Sequence, residues 1–335
     1  MALGVEGTRV GVWTSPDGNT GCTVVLAPLG SMGAAAVRGG APGSRETAAL
    51  SATGNVRECH AIVLSGGSAF GLATADGVSE WCEQHGIGYD KVVARIPIVG
   101  GAIVFDLREP GATRPGRDEG WAACEAATSN DAAMGAVGVG AGCTAGKTAG
   151  IEWAVRSGQG WAIERAGGVT VGALVAVNPL GDVLDERGEI LSGSRAPASV
   201  PRFPAVGSPV PPDQAGDDAV PGAAGATGAM PGAGGGASPG EGEHTVIGCL
   251  VTDAQLSKPD AARAVDLANN GIARAISPAH TSYDGDALFL LCTQRIPASL
   301  DLVAHLGALA VAAAIRAAAR AVGPNTPADL PRPAR

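Results

Sequence analysis

Residues 201–243 constrain this chain more than any other feature. Eight Pro, 11 Gly and 9 Ala fill 28 of those 43 positions, and a stretch with so few large apolar side chains cannot bury enough surface to offset the entropy of ordering it. It reads as a low-complexity linker, so the fold must be assembled from what flanks it. On the N-terminal side, short apolar runs end in glycine-rich turns: residues 22–27, residues 61–64 before Ser65-Gly66-Gly67-Ser68, and residues 169–177 before Asn178-Pro179. These runs predict strands, the last one buried on both faces because its apolar positions do not alternate cleanly. Residues 69–85 predict a helix closed by Gly86. After the linker the chain restarts at once with a strand, Thr245-Val-Ile-Gly-Cys-Leu-Val251. A helix capped by Ser257 follows, with Pro259 in its first turn, and runs to about Ile276. A strand over 287–291 and an Ala-rich helix from about Leu300 to Val322 come last.

Two strands and two helices are too few for a domain of their own. The expected architecture is therefore one α/β domain over 1–335, with a core at 1–200, a disordered linker at 201–244, a second core piece at 245–322 completing the first sheet, and a Pro-rich disordered tail at 323–335.

Composition excludes several classes of function. The net charge is −9, and only Lys91, Lys147 and Lys258 among the basic residues are lysines. A chain without a basic surface does not coat phosphates, so nucleic acid is not expected as a partner. Seven scattered cysteines form no C-x-x-C pair and no zinc-type cluster, and read as buried free thiols in a reducing compartment. The N-terminus lacks the basic and apolar blocks of a signal peptide. The late apolar stretch 306–322 is cut by Arg316 and Arg320 and falls short of a span of about 20 residues. A soluble, cytoplasmic protein without membrane contact, metal or organic cofactor is expected.

Four places carry possible chemistry. If the His244–Thr245 bond were cut, Thr245 would hold a free α-amine beside its own hydroxyl, the arrangement of an N-terminal nucleophile with a local base; otherwise Thr245 is simply a β-branched strand former. Tyr283-Asp284-Gly285-Asp286 places two carboxyl groups around a glycine, able to share a proton and orient a hydroxyl or amine, or else forms an ordinary Asp-Gly hairpin or loop turn, with calcium binding a weaker option. The run Gly138-Val-Gly-Ala-Gly-Cys-Thr-Ala-Gly-Lys147 fails the phosphate-loop pattern in either register and better suits a turn delivering Lys147 to a small-molecule site. Asn178, held extended by Pro179, is an amide donor for an oxyanion or a turn amide. Ser68 misses the nucleophile-elbow pattern and is expected to cap the following helix. His280, without an identified partner, reads as structural.

These segments, taken in order, resemble the DmpA-like hydrolases, which include L-aminopeptidase/D-esterases, β-peptidyl aminopeptidases and nylon-oligomer hydrolases. The resemblance rests on Arg38-Gly-Gly-Ala-Pro-Gly-Ser-Arg-Glu46, Leu64-Ser-Gly-Gly-Ser-Ala-Phe-Gly-Leu72, residues 140–147, Val177-Asn-Pro179, His244-Thr-Val-Ile247, Val251-Thr-Asp253 and Tyr283-Asp-Gly-Asp286. It covers nearly the whole chain outside the linker and tail. It implies a four-layered αββα sandwich, cleavage of the precursor at His244–Thr245, and a homo-oligomer, tetramer or larger, of cleaved heterodimers. It also implies Thr245 as nucleophile, Asn178 as oxyanion donor, and Lys147, Asp284 and Asp286 as the polar shell. The implied activity is hydrolysis of a peptide or small amide by an aminopeptidase. The alternatives are endo-acting hydrolysis of oligoamides, acyl transfer of the ornithine-acetyltransferase type, and an uncleaved small-molecule-binding protein. Two positions depart from the pattern: Phe105 stands where the nylon-hydrolase branch carries tyrosine, and His244 stands where Asn or Gly is more familiar.

Overall fold

A strand that is apolar on both faces is stable only between two packed layers. The computed structural model describes residues 1–203 and 244–328 and places two such strands at its centre. The linker expected at 201–244 thus lies outside the described residues from 204 to 243, as does the tail from 329. The strands that matter are β1 (Arg9–Thr14), β2 (Gly21–Leu26), β3 (Met32–Val37), β4 (Ser44–Arg45), β5 (Ala61–Ser65), β6 (Val99–Ile103), β7 (Gln159–Ala166), β8 (Val169–Asn178), β9 (Thr245–Gln255) and β10 (Ala287–Pro297). They form two five-stranded sheets, ordered β1-β2-β5-β6-β4 and β7-β8-β9-β10-β3. Neighbours run antiparallel except β5/β6 and β9/β10. The strands that follow the linker lie inside the second sheet, between β8 and β3.

Side-chain parity divides the core into layers. Leu174 and Ala176 of β8, Ile247, Cys249 and Val251 of β9 and Phe289 of β10 meet Ile62 and Leu64 of β5 in the layer between the sheets. The opposite faces are covered by helices α1 (Thr74–Gln84) and α2 (Arg117–Glu125) on the first sheet, and α3 (Lys258–Ala268), α4 (Asn270–Ala275) and α5 (Leu300–Val322) on the second. This is the four-layered αββα sandwich. Helix α5 buries Val303, Leu306, Val311 and Ile315 against the sheet, each contributing about 1.5–3 kcal/mol.

Several elements differ from the sequence reading. Strands β9 and β10 continue to Gln255 and Pro297. The helix expected to reach Ile276 breaks at Asn269, whose buried Nδ2 donates to the Val265 carbonyl (3.1 Å) and competes with the helical bond. Ser257 caps α3 as expected, accepting from the Asp260 amide. Ser68 does not cap: it sits at φ 55° without a side-chain bond to the helix start. Helix α5 spans 23 residues and is long and apolar enough to cross a membrane. Its length is thus no argument against a span; the argument is its packing, since the sheet takes its apolar side and Arg316 binds the carbonyls of Leu184 and Asp185. The start of the tail is ordered, with Arg156 N–H on the Thr326 carbonyl (2.8 Å) and Ala328 buried. The seven cysteines are buried and free, and burial pushes the Cys59 thiol up to about 11.

Candidate active site

Proline has no N–H to continue a ladder, so β8 ends at Asn178, before Pro179. The antiparallel register sets Asn178 directly opposite Thr245, the first residue of β9. Both follow the parity of the inter-sheet layer, so their side chains meet at its edge. Thr245 is 2% exposed. Its Oγ donates to the carbonyl oxygen of His244, and the Gly285 N–H donates to the same oxygen at 2.8 Å.

One flank of Thr245 is basic. Lys147 is buried, and its Nζ donates to the Asn178 carbonyl (3.1 Å) and Oδ1 (3.0 Å). The Thr144 amide also donates to Asn178 Oδ1 (3.0 Å), so the amide orientation follows from its partners, and Nδ2 donates to the Phe105 carbonyl (3.0 Å). Phe105 therefore serves the site through its backbone. Arg108 reaches the Gly142 carbonyl (2.7 Å) and the Thr144 hydroxyl (3.4 Å). The glycine-rich run holds no phosphate cradle: its amides donate inward, from Gly138 to Thr14 Oγ, from Val139 to Thr23 Oγ, and from Gly146 and Lys147 to the carbonyls of Gly181 and Leu180.

The other flank is acidic. Asp286 Oδ1 accepts from the Val246 amide (2.7 Å), while Oδ2 meets His280 Nδ1 (2.7 Å) and the His280 amide (3.3 Å). His280 Nε2 lies 3.3 Å from the Asn269 carbonyl, at the break between α3 and α4. His280 thus has the partner that the sequence did not show. Burial lowers its affinity for a proton, but the hydrogen bond and charge of Asp286 outweigh burial and raise its pKa overall. Asp284 accepts from the Thr281 amide (2.8 Å) and hydroxyl (2.7 Å); burial, then the charge of Asp286, push its carboxyl above the usual range. Of the two turns the sequence allows, this is the loop turn and not the hairpin, since β10 leaves it parallel to β9.

The turn is clasped by Arg38 and its neighbours. The Arg38 and Gly39 amides donate to the Asp286 carbonyl (2.9 and 3.2 Å), and the Ala41 amide donates to the Asp284 carbonyl (3.0 Å). A Cβ on Gly39 would stand 2.2 Å from that carbonyl oxygen, so only glycine permits the contact. The Gly285 amide and this clasp escaped sequence reasoning because backbone donors carry no side-chain signal. The Arg38-Gly-Gly-Ala motif was the only trace.

Thr245, Asn178, Lys147, Asp284 and Asp286 are thus brought together around the His244–Thr245 bond. A hydroxyl beside a carbonyl, an amide donor on that carbonyl and a buried acid pair provide for acyl chemistry.

Comparison with known proteins agrees. The chain matches the model of peptidase family S58 over residues 3–324. It is 40% identical over 343 residues to an uncharacterized aminopeptidase of Mycobacterium tuberculosis (strain ATCC 25618 / H37Rv), covering 95% of this chain and 91% of that protein. A 6-aminohexanoate-oligomer endohydrolase of Agromyces sp. (strain KY5R) is 29% identical over 300 residues, covering 87% and 74%. In fold the chain resembles a β-aminopeptidase of Burkholderia sp. (TM-score 0.65, 19% identity, 96% and 86% of the chains). It also resembles an L-aminopeptidase D-Ala-esterase/amidase of Ochrobactrum anthropi described as a variant of the Ntn hydrolase fold (TM-score 0.64, 18% identity, 96% and 85%). The chain belongs to peptidase family S58, the DmpA-like hydrolases, and is a hydrolase of the aminopeptidase/amidase kind.

Proposed function

We propose that this S58 hydrolase is an autoprocessed aminopeptidase whose nucleophile is Thr245, freed by scission of its own His244–Thr245 bond. The observation that carries the reading is the convergence of Thr245 Oγ and the Gly285 N–H on the carbonyl of His244. In self-cleavage Thr245 Oγ bonds to the His244 carbonyl carbon, and the negative charge on the oxygen rests on the Gly285 amide. Such a donor is worth about 10²–10³ in rate. The bond from that carbon to the Thr245 nitrogen then breaks as the Oγ proton is delivered to that nitrogen, and water hydrolyses the resulting ester. His244 leaves as a carboxylate, and Thr245 keeps both its hydroxyl and a free amine.

In turnover that amine takes the Oγ proton as Oγ attacks the substrate carbonyl, and returns it to the departing amine. Water then resolves the acyl-enzyme. Lys147 and Asn178 hold the strand end in place. The cut halves stay together because β9 and β10 remain laddered between β8 and β3. The 40% identical aminopeptidase supports exo action.

Intact mass under denaturing conditions, with N-terminal sequencing, tests the reading. A fragment beginning at Thr245 is expected, and Thr245→Ala should remain one chain without amidase activity. Amidase activity retained in that variant removes Thr245 from its role. Turnover of N-terminally blocked substrates would move the activity to endo cleavage.

A further inference from the structure

Residues 201–203 belong by composition to the low-complexity segment, yet they complete an ordered strap that runs up to the site. The strap starts at Gly193, after the short strand Ile190–Ser192, and reaches Phe203. One carboxylate fixes it near both ends. Asp182 Oδ1 accepts from the Ser194 amide (2.7 Å), and Oδ2 lies 3.5 Å from the Arg202 guanidinium, which also donates to the carbonyls of Ser194 (3.4 Å) and Ala196 (3.0 Å). The Arg195 amide donates to the Trp153 carbonyl (3.0 Å), and Pro197 and Pro201 stiffen the stretch that follows. The strap packs on the backbone just before Lys147: a Cβ on Gly146 would stand 2.2 Å from the Ser194 nitrogen, so the approach requires glycine there, at φ 73°.

At its end the strap touches segments from both flanks of Thr245. The Phe203 amide donates to the carbonyl of Thr148, next to Lys147 (2.8 Å), and the Phe203 ring meets the Tyr283 ring edge to face, with centroids 5.5 Å apart and planes at 86°. Tyr283 is buried and directly precedes Asp284 and Gly285. Another tie between these segments runs through Leu180, whose carbonyl accepts from the Lys147 amide (2.8 Å) while its own amide reaches Asp284 Oδ1 at a long 3.4 Å. In the uncut chain the turn has a further restraint, the Gly285 N–H on the His244 carbonyl and the bridge that pairs His244 with Asp284. Scission separates His244 from β9 and releases that restraint, whereas the strap remains. We infer that Phe203 is a positioning residue of the cut enzyme, its amide and ring holding the acidic turn in register with the Lys147 loop once His244 is released. The inference rests on the reading that the His244–Thr245 bond is cut. It gives Phe203 little to do in self-cleavage and much to do in turnover, where a misplacement of about 1 Å can cost about 10²-fold.

Phe203→Ala and Phe203→Leu test this in the full chain. Both should form the Thr245 fragment at a rate within about threefold of wild type. The cut enzymes, assayed on the p-nitroanilides of glycine, alanine and leucine, should lose about tenfold in kcat with KM within about twofold. Phe203→Leu nearly keeps the volume and loses only the edge-to-face geometry, so its result stands even if the alanine variant fails to fold. Phe203→Tyr, which keeps the aromatic edge, should recover at least about half of the wild-type kcat. Tyr283→Leu should show the same loss, and the Phe203→Leu/Tyr283→Leu pair no further loss, as expected of two residues that act through one contact. A lowered Tm with unchanged kcat in Phe203→Leu, or equal losses in self-cleavage and turnover, overturns the positioning role and leaves Thr245 as the nucleophile. A wild-type chain that never cuts at Thr245 overturns the reading beneath it.

Discussion

The two flanks of Thr245 are built differently. The basic flank, Lys147 on Asn178, is dry: both residues are at most 1% exposed, and their bonds run to strand ends and backbone. The acidic flank ends in His280, only half-buried, which couples Asp286 to solvent and to the break between α3 and α4. An imidazole within reach of solvent can exchange its proton near neutral pH, which makes the acidic flank the adjustable one. The difference teaches that strand packing holds Thr245 in position, and that the acidic loop is where the proposed reaction would be tuned.

The comparison breaks most sharply at Asp286. Asp286→Asn keeps an oxygen for the Val246 amide but removes the charge facing His280, and should slow self-cleavage by about 10²–10⁴-fold, measured as the rate of Thr245-fragment formation, with thermal unfolding as the check on fold. A loss under threefold would show that the acidic flank only positions. Gly285→Ala comes next. Its Cβ would stand 2.9 Å from Thr245 Oγ and 2.8 Å from the Ala41 carbonyl, displacing the donor on the His244 carbonyl, and about a 10–100-fold loss in the rate of the proposed self-cleavage is expected.

His280→Gln should cost about tenfold in rate and, more tellingly, should remove a pH limb. The raised His280 pKa means that its contribution to stability is full below the unfolded value of about 6.5 and is lost as pH rises through the folded value. The stability gap between wild type and His280→Gln should therefore narrow as pH rises through that window. The charged groups around this ring are Asp286 and Arg38, the latter paired with Asp266. A gap that stays constant with pH would place His280 with the dry flank.

The smallest effect concerns Asp106, beside Arg108 on the basic side. Burial pushes its carboxyl up to about 6, although Oδ1 accepts from the Gly67 amide at 2.7 Å. A folded state that binds the proton more tightly than the unfolded chain loses stability as pH rises from about 4 to about 6. Asp106→Asn should remove that slope and raise Tm by a few degrees above pH 6, with turnover within twofold, by calorimetry and activity together. A large loss of turnover would bring Asp106 into the active machinery.

Much of the fold was legible because local chemistry and tertiary packing agree. The doubly apolar run ending at Asn178-Pro179 is a central strand, and α5 starts and stops where the Ser299 cap and Gly323 place it. The break at Asn269 was not legible, since it depends on one side chain choosing the Val265 carbonyl over solvent. In the site, Thr245, Asn178, Lys147, Asp284 and Asp286 were nominated by residue type and resemblance, and the structure brings them together. His280 was set aside because its partner lies six residues on, across a loop whose path the sequence does not reveal.

What the sequence by itself determined is the set of strands, the break between them and the residue types able to do acyl chemistry. Those follow from local periodicity, chain entropy and proline and glycine constraints, all of which act over a few residues. Only the tertiary structure decided that Gly285 donates to the His244 carbonyl, that Phe105 acts through its backbone, and that neither ring nitrogen of buried His244 has a hydrogen-bond partner among the described residues. Each depends on the register of β8 against β9 and of β9 against β10, and register arises from packing two sheets against each other rather than from any one segment.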